Sequence, residues 1–237
     1  DDPAHHGHVM VDLGASVERE AALARISQRI NEQPLDVDGT LLAIAEVARS
    51  LTDSDGSRVC LIDGDDVVGH QMSSRIAELG EYYAGGGSMG RVALKGGPGI
   101  HAKAIRERCT VALDDGFARA LQLGIERQGY EKNLRSMMAA PITREGVVLG
   151  SLFVVRTEVR PYNAGEIASL EAFASQAATA IETARAQREL AQRNREVTEA
   201  LETQTAIAEV LEIIAASPSN LDAVLPQLGS AAQRLCE

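Results

Sequence analysis

Chemistry near neutral pH needs a thiol, an imidazole or a carboxylate beside a partner that tunes it. Five histidines and three cysteines are the scarce reagents here. His5, His6 and His8 crowd the N-terminus; three close imidazoles suggest a metal patch, but they precede any patterned segment and read as a tag remnant or tail. His101 stands at the mouth of a short helical pattern, placed to bond a ligand, to coordinate haem or simply to lie on the surface. His70, on a strand, ranks behind it. Cys60, Cys109 and Cys236 are far apart, with no C-x-x-C pair and no Cys/His metal spacing, so no metal centre is expected. Cys60 lies in an apolar run and reads as a small core residue. Cys109 precedes a buried strand; no histidine is placed beside it to act as base, so it reads as a core or pocket-wall thiol.

Asp114 and Asp115 form an acidic pair, but adjacent strand positions face opposite sides and cannot serve one substrate together. They read as a strand end and turn, with Asp114 a candidate ligand hydrogen-bonder. Arg135 is a candidate anchor for an anionic ligand or a solvated side chain. Met137 opens an apolar strand, and Tyr83 lies on the apolar side of a helix; both are candidate ligand contacts. Gly85, Gly87 and Gly90 match G-x-G-x-x-G, yet the preceding AELGEYYA has helical spacing where a phosphate loop needs a strand. A flexible loop over a pocket fits better. No catalytic residue is assigned.

These residues are carried by a chain of 237, with 23 basic and 34 acidic side chains and a formal net charge of -11. That acidity, without a local basic cluster, argues against nucleic acid and anionic membranes as partners. No apolar run approaches the roughly 20 residues of a membrane span, and no signal peptide is visible, so a reducing cytoplasm is expected. Residues 1–15 are set aside as a tail.

Leu23, Ile26 and Ile30 predict a helix over 17–33, stopped by Pro34. A second helix, 38–52, carries Leu41, Ile44, Val47, Ala48 and Leu51 on one face. The period then changes. Residues 57–63 read as a buried strand, Asp63-Gly64-Asp65 as a hairpin turn and 67–72 as the returning strand. A helix over 73–84, a strand at 91–95, a short helix at 100–107 and a strand at 109–114 follow, then an irregular stretch over 115–134. Two apolar runs, 136–143 and 147–157, are joined by Arg144, Glu145 and Gly146 as a tight hairpin. The sum is an α+β fold: an antiparallel sheet of five or six strands with helices from both chain ends on one face.

Asn163 caps a helix that runs from Ala164 to about Ala216 with no proline and only Gly165. That length implies a coiled coil or rod. Ile167, Leu170, Ala174, Ala177, Ile181 and Ala184 follow a 3-4 spacing. Leu190, Asn194, Val197, Leu201, Ala208 and Leu211 follow it in a shifted phase, a seam expected to pair with a second chain, with Asn194 fixing register. The end of the chain also resembles its start at a shift of 184 residues: Leu23 meets Ile207, Ile26 meets Val210, Leu41 meets Leu225, and Pro218 breaks the helix near the place of Pro34. Residues 217–237 therefore read as the truncated start of a second domain, after a first domain at 16–184 and a linker at 185–216.

The strings GIHAKAIRERCTVALDD (99–115) and RSMMAAPITREGVVLGSLFVVRTEVRPYNAGEIASLEAFASQAATAIE (135–182) resemble the helix-strand segment, last hairpin and C-terminal helix of GAF domains, with Gly150 and Leu152 at the hairpin's Gly-x-Leu step. The linker and terminal piece resemble the junction of tandem GAF domains in bacterial sensor histidine kinases and nucleotide cyclases. The resemblance implies a central antiparallel sheet, terminal helices on one side and a small-molecule pocket on the other. It implies sensing, not catalysis, with signal passed to an output domain, a kinase or cyclase. No Asn-Lys-x-Phe-Asp-Glu string and no Cys-His pair is present, which argues against cyclic-nucleotide and covalent bilin sites; the cofactor is unknown. The alternatives are a ligand-free dimerisation scaffold and a redox enzyme on this fold using Cys109.

Overall fold

The computed structural model describes residues 20–21, 24–33, 36–84, 90–97, 99–122 and 133–216. The predicted opening helix is present over 24–32 as α1. The next helix, α2 (Val37–Leu51), begins where Asp36 accepts a hydrogen bond from the Gly39 amide at 2.8 Å, satisfying one of the orphan donors of the first turn. The strands are β1 (Gly56–Asp63), β2 (Asp66–Ser74), β3 (Arg91–Ala93), β4 (Val111–Leu113), β5 (Met137–Arg144) and β6 (Val147–Val155). Between them stand α3 (Ala77–Ala84), α4 (Ile100–Glu107) and α5 (Gly116–Gln122), and α6 (Ala164–Ala216) closes the described chain.

All six strands form one antiparallel sheet in the order β3-β2-β1-β6-β5-β4. Local hairpins build its halves, and the pairing of β1 with β6 joins them. Each long hairpin has a two-residue loop. Gly64 takes φ +61° in the first, and Glu145 and Gly146 take φ 50° and 80° in the second, the two positive values that the strand twist demands of such a turn. Gly150 answers a close approach: a Cβ there would lie 2.1 Å from the Cys60 carbonyl oxygen. Two predicted strands are shorter than expected. Residues 94–96 form a turn after β3, and Cys109 and Thr110 precede β4.

The chain divides after Arg185 into two units. In the first, the period-2 alternation of the strands sends Val59, Leu61, Met138, Ala140, Ile142, Leu152 and Val154 to one face. There they meet Ile26 and Ile30 of α1, Leu41 and Ile44 of α2, and Leu170, Phe173, Ala177 and Ile181 of α6. Each large side chain buried this way contributes about 1.5–3 kcal/mol. Small residues on α6 (Ala174, Ala177, Ala178 and Ala184) let the helix approach closely.

The start of α6 is pinned. Asn163 accepts from the Glu166 amide at 3.0 Å and Glu166 accepts from the Asn163 amide at 2.9 Å, a reciprocal capping box. Glu166 also pairs with Arg156, which follows β6 and is 0 % exposed. Arg156 stacks on Tyr162 at 4.0 Å and donates to the carbonyl of Thr52 at 2.6 Å, where α2 ends. One buried guanidinium thus ties the sheet to the end of α2 and the start of α6. The second unit carries the rest of α6, where Leu190, Val197, Leu201 and Leu211 are 58–60 % exposed and Asn194 and Ala208 are exposed as well. Residues 217–237, read as a second domain's start, lie outside the described residues.

Candidate functional site

The face of the sheet turned away from α1, α2 and α6 carries the alternate residues of the same strands. Arg58 and Cys60 come from β1, Ser151, Phe153 and Val155 from β6, and Met137 and Ala139 from β5. Leu79 and Tyr83 of α3 and Ile100, Ala104 and Ile105 of α4 pack against this face. A polar group here has no water to fall back on, so its partner must come from the protein or from a bound molecule.

His101 sits at the centre. It is the second residue of α4 and only 4 % exposed. Its ring meets Phe153 edge-on, with centroids 4.5 Å apart. Its Nδ1 lies 3.4 Å from Cys60 Sγ, and its Nε2 has no hydrogen-bond partner among the described residues. Burial, reinforced by the nearby Arg58 charge, pulls the imidazole down to about 3, and burial pushes the Cys60 thiol up to about 12. Both groups are neutral at physiological pH. Ser151, directly across from Cys60 on β6, is 0 % exposed, and its Oγ has no partner among the described residues.

Arg58 borders this centre. Its guanidinium lies over Gly69 of β2, in space a Cβ would fill at 2.4 Å, and stands 5.2 Å from the centroid of the Tyr83 ring. It donates to the carbonyls of Gly69, at 2.8 Å, and His70. Met137 is buried, and Gly116 makes room for its methyl: a Cβ at that glycine would lie 2.0 Å from Met137 Cε.

The other expected site residues are placed differently. Arg135 makes two bonds to Asp115, at 3.0 and 2.6 Å, which lower the Asp115 carboxyl to about 2. Asp115 is not a strand end: it accepts from the amides of Phe117 and Ala118 and so caps α5. Asp114 is exposed, and its carbonyl accepts from Ser136 Oγ at 2.6 Å. Cys109 is exposed in the turn after α4, not in a wall; Arg108, in the left-handed conformation at φ 53°, turns the chain outward there. Among the described residues the thiol that meets an imidazole is Cys60. His70 belongs to the other layer, 3.5 Å from Asp38 of α2. Of the G-x-G-x-x-G positions, 85 and 87 lie outside the described residues.

Of the expected ligand contacts, His101, Tyr83 and Met137 lie on this face; Cys60 is buried as expected, but its contact with His101, and the places of Arg58 and Ser151, were not anticipated. A signal existed: each is a polar residue inside an apolar strand, and 58 and 60 share parity. Their convergence with 151 depends on the pairing of β1 with β6, which no local pattern reveals. Among the described residues no three His, Cys, Asp or Glu side chains converge to hold a metal. Two open grooves lie in the helical layer instead. One of about 740 Å³ is lined by Arg25, Ile26, Arg29, Glu46 and Val47, and one of about 330 Å³ by Ile30, Asn31, Gln176 and Thr179. No helix among the described residues is long and apolar enough to cross a membrane.

Comparison with known proteins adds a family. The family model described as a GAF domain matches residues 34–182. The fold is similar to the GAF domain of a phosphoenolpyruvate-protein phosphotransferase from Coxiella burnetii, at 17 % identity and TM-score 0.53, covering 72 % of this chain and 96 % of that one. It is also similar to the corresponding Acinetobacter domain, at 16 % identity and TM-score 0.52, covering 70 % and 93 %. A free methionine-R-sulfoxide reductase from Neisseria meningitidis shares the fold at 17 % identity and TM-score 0.52, covering 73 % and 92 %. At these identities the likeness is one of fold. A comparison with curated proteins gave no match.

Proposed function

The chain belongs to the GAF family, whose members are generally sensory or regulatory modules, and on that premise we propose that it is the input module of a dimeric cytoplasmic signalling protein. A small molecule binds on the sheet face beneath α4. Its occupancy biases the position of α6, and α6 pairs with the same helix of a second copy and passes the change to an output domain, a histidine kinase. Residues 217–237 begin a second GAF domain in this reading.

The observation that carries the proposal is the exposed row on the later turns of α6. Leu190, Val197, Leu201 and Leu211 stand 58–60 % exposed at 3-4 spacing, with Asn194 and Ala208 in the same row. Apolar side chains repeated on that period seek a partner helix, and a lone Asn on the seam selects register and strand number. Glu196, Glu199, Glu202 and Glu209 fall on the flank opposite the row, so two copies can meet without juxtaposing these charges. No catalytic step is assigned to this chain: Cys60 is buried as a protonated thiol, and exposed Cys109 is not the cysteine that meets a histidine.

Sedimentation equilibrium of the chain, beside Asn194→Leu, tests the helix pairing. Concentration-dependent dimerisation is expected, with the variant tighter or shifted to a higher oligomer. A monomer at every concentration, unaltered by the substitution, sinks the dimeric relay. Native mass spectrometry of the freshly purified chain tests the sensory half, because a retained small molecule appears directly as added mass.

A further inference from the structure

Two polar atoms beneath α4, His101 Nε2 and Ser151 Oγ, are buried without a partner among the described residues, and Cys60 adjoins both residues. It pairs with Ser151 across β1 and β6 and lies 3.4 Å from His101 Nδ1. In the tautomer with Nδ1 unprotonated, Cys60 S–H donates to that nitrogen. A neutral ring carries one proton, which must then sit on Nε2. In that tautomer the face offers a buried N–H donor with no acceptor among the described residues, and Ser151 brings a hydroxyl likewise unpartnered there.

What surrounds these donors narrows the occupant. The Arg58 guanidinium gives the face a positive field. Among the described residues the lining includes Phe153, Tyr83, Leu79 and Val155, with Met72 and Met137 as adaptable side chains that can repack around a guest. Resting on the sensory reading above, we propose that this face binds a small organic carboxylate with an apolar body, one carboxylate oxygen accepting from His101 Nε2–H and Ser151 Oγ–H. The apolar body lies among Phe153, Tyr83 and the two methionines. Burial of the donors makes the preference steep: a molecule that brings no acceptor leaves both atoms unsatisfied.

The test uses benzoate and isobutyrate as probes, with benzamide and isobutyramide as their neutral isosteres. Long-range proton–nitrogen spectra of the histidine rings read Nε2–H directly, and thermal unfolding reads affinity by mass action. A carboxylate is expected to move the His101 Nε2–H resonance saturably and to bind at least tenfold tighter than its amide. Ser151→Ala weakens it about tenfold, and His101→Phe, which keeps a ring on Phe153 but removes the donor, abolishes it. Circular dichroism confirms that each variant is folded. Equal binding of acid and amide, or undiminished binding to His101→Phe, overturns the carboxylate assignment. So does a resonance that only a non-carboxylate fraction of cell extract perturbs, and the sensory reading then stands. A resonance that neither probe nor extract moves, as when a single water bridges the two atoms, overturns the assignment and the small-molecule reading together.

Discussion

On one face of the sheet, Val59, Leu61, Met138, Ile142, Leu152 and Val154 meet three helices in a core of apolar side chains. On the other, the alternating residues of the same strands include Arg58, Cys60 and Ser151, and the helix above them contributes His101. Lone unpartnered hydroxyls occur elsewhere, at Ser57 and Thr110, whereas beneath α4 two unpartnered side chains, His101 and Ser151, both adjoin Cys60. Strands cannot differ in backbone between their two faces, so the contrast was written by side chains alone. Ser57 shares the parity of Val59 and Leu61, so the helical face holds one such hydroxyl; the α4 face holds a pair of unpartnered side chains around one thiol, and a grouping of that kind is where function is expected.

Truncation on the helical face should cost most. Phe173 is 0 % exposed in the centre of that core, and Phe173→Ala is expected to lower unfolding free energy by roughly 3–5 kcal/mol, read by urea denaturation. A loss below about 1 kcal/mol would mean that α6 does not pack as described, and the contrast between the faces would lose its first term.

Next in size is a pH effect belonging to the α4 face. His101 has a folded value of about 3 against 6.5 for the free group. Below 6.5 the unfolded chain takes up a proton that the folded chain refuses, so stability is full above that pH and falls as pH drops toward 3. His70 is also lowered by burial, against the pull of Asp38, and contributes in the same direction. Asp115 and Asp55, held below 3.8, act only at lower pH. Between pH 6.5 and 5 the loss from His101 is expected to be roughly 1–2 kcal/mol, since each tenfold difference in proton affinity between the two states is worth about 1.4 kcal/mol. His101→Phe should flatten that slope while His70→Gln leaves most of it. An unchanged slope in His101→Phe would place the ring in water.

The difference in how these two faces could be read from sequence follows from the same physics. The helical face announces itself locally: period 2 in the apolar runs, period 3.6 in α2 and α6, the Glu145-Gly146 turn and the Asn163 cap are all short-range signals. The fold class and the hairpin of β5 with β6 were legible on that ground. The cluster beneath α4 was not, because Cys60 and His101 are 41 residues apart and Ser151 enters only when β6 closes on β1. Asp115 misled for the opposite reason: a carboxylate two residues before an amide donor can end a strand or start a helix, and only its bonds to Phe117, Ala118 and Arg135 decide.

A smaller effect has the opposite sign. Ser151→Ala removes a buried hydroxyl without a partner among the described residues, and so should stabilise the chain by about 1 kcal/mol, where removal of an apolar group on the helical face, as in Phe173→Ala, destabilises. Destabilisation by Ser151→Ala would reveal a partner for its hydroxyl and remove half of the proposed site.

The smallest effect on stability should expose the largest difference in access. Arg106, at the exposed end of α4, donates to the carbonyls of Leu94 at 2.9 Å and Gly97 at 3.3 Å, fastening the helix to the turn after β3. The first bond is exposed and the second, longer one part-buried, and Arg106→Ala should cost below about 1 kcal/mol. Its consequence is local. Cys60 is 2 % exposed beneath α4, so a thiol reagent reaches it only when the helix lifts, whereas exposed Cys109 reacts at once. In a Cys109→Ser, Cys236→Ser background, labelling of Cys60 should accelerate at least tenfold on Arg106→Ala with the global unfolding midpoint nearly unmoved. Because opening beneath α4 precedes ligand entry and opening beneath α6 does not, Phe173→Ala should instead raise labelling only in step with global unfolding. If both variants raised it through global unfolding alone, the sheet would have no separately opening face, and a molecule could reach His101 only by unfolding the domain.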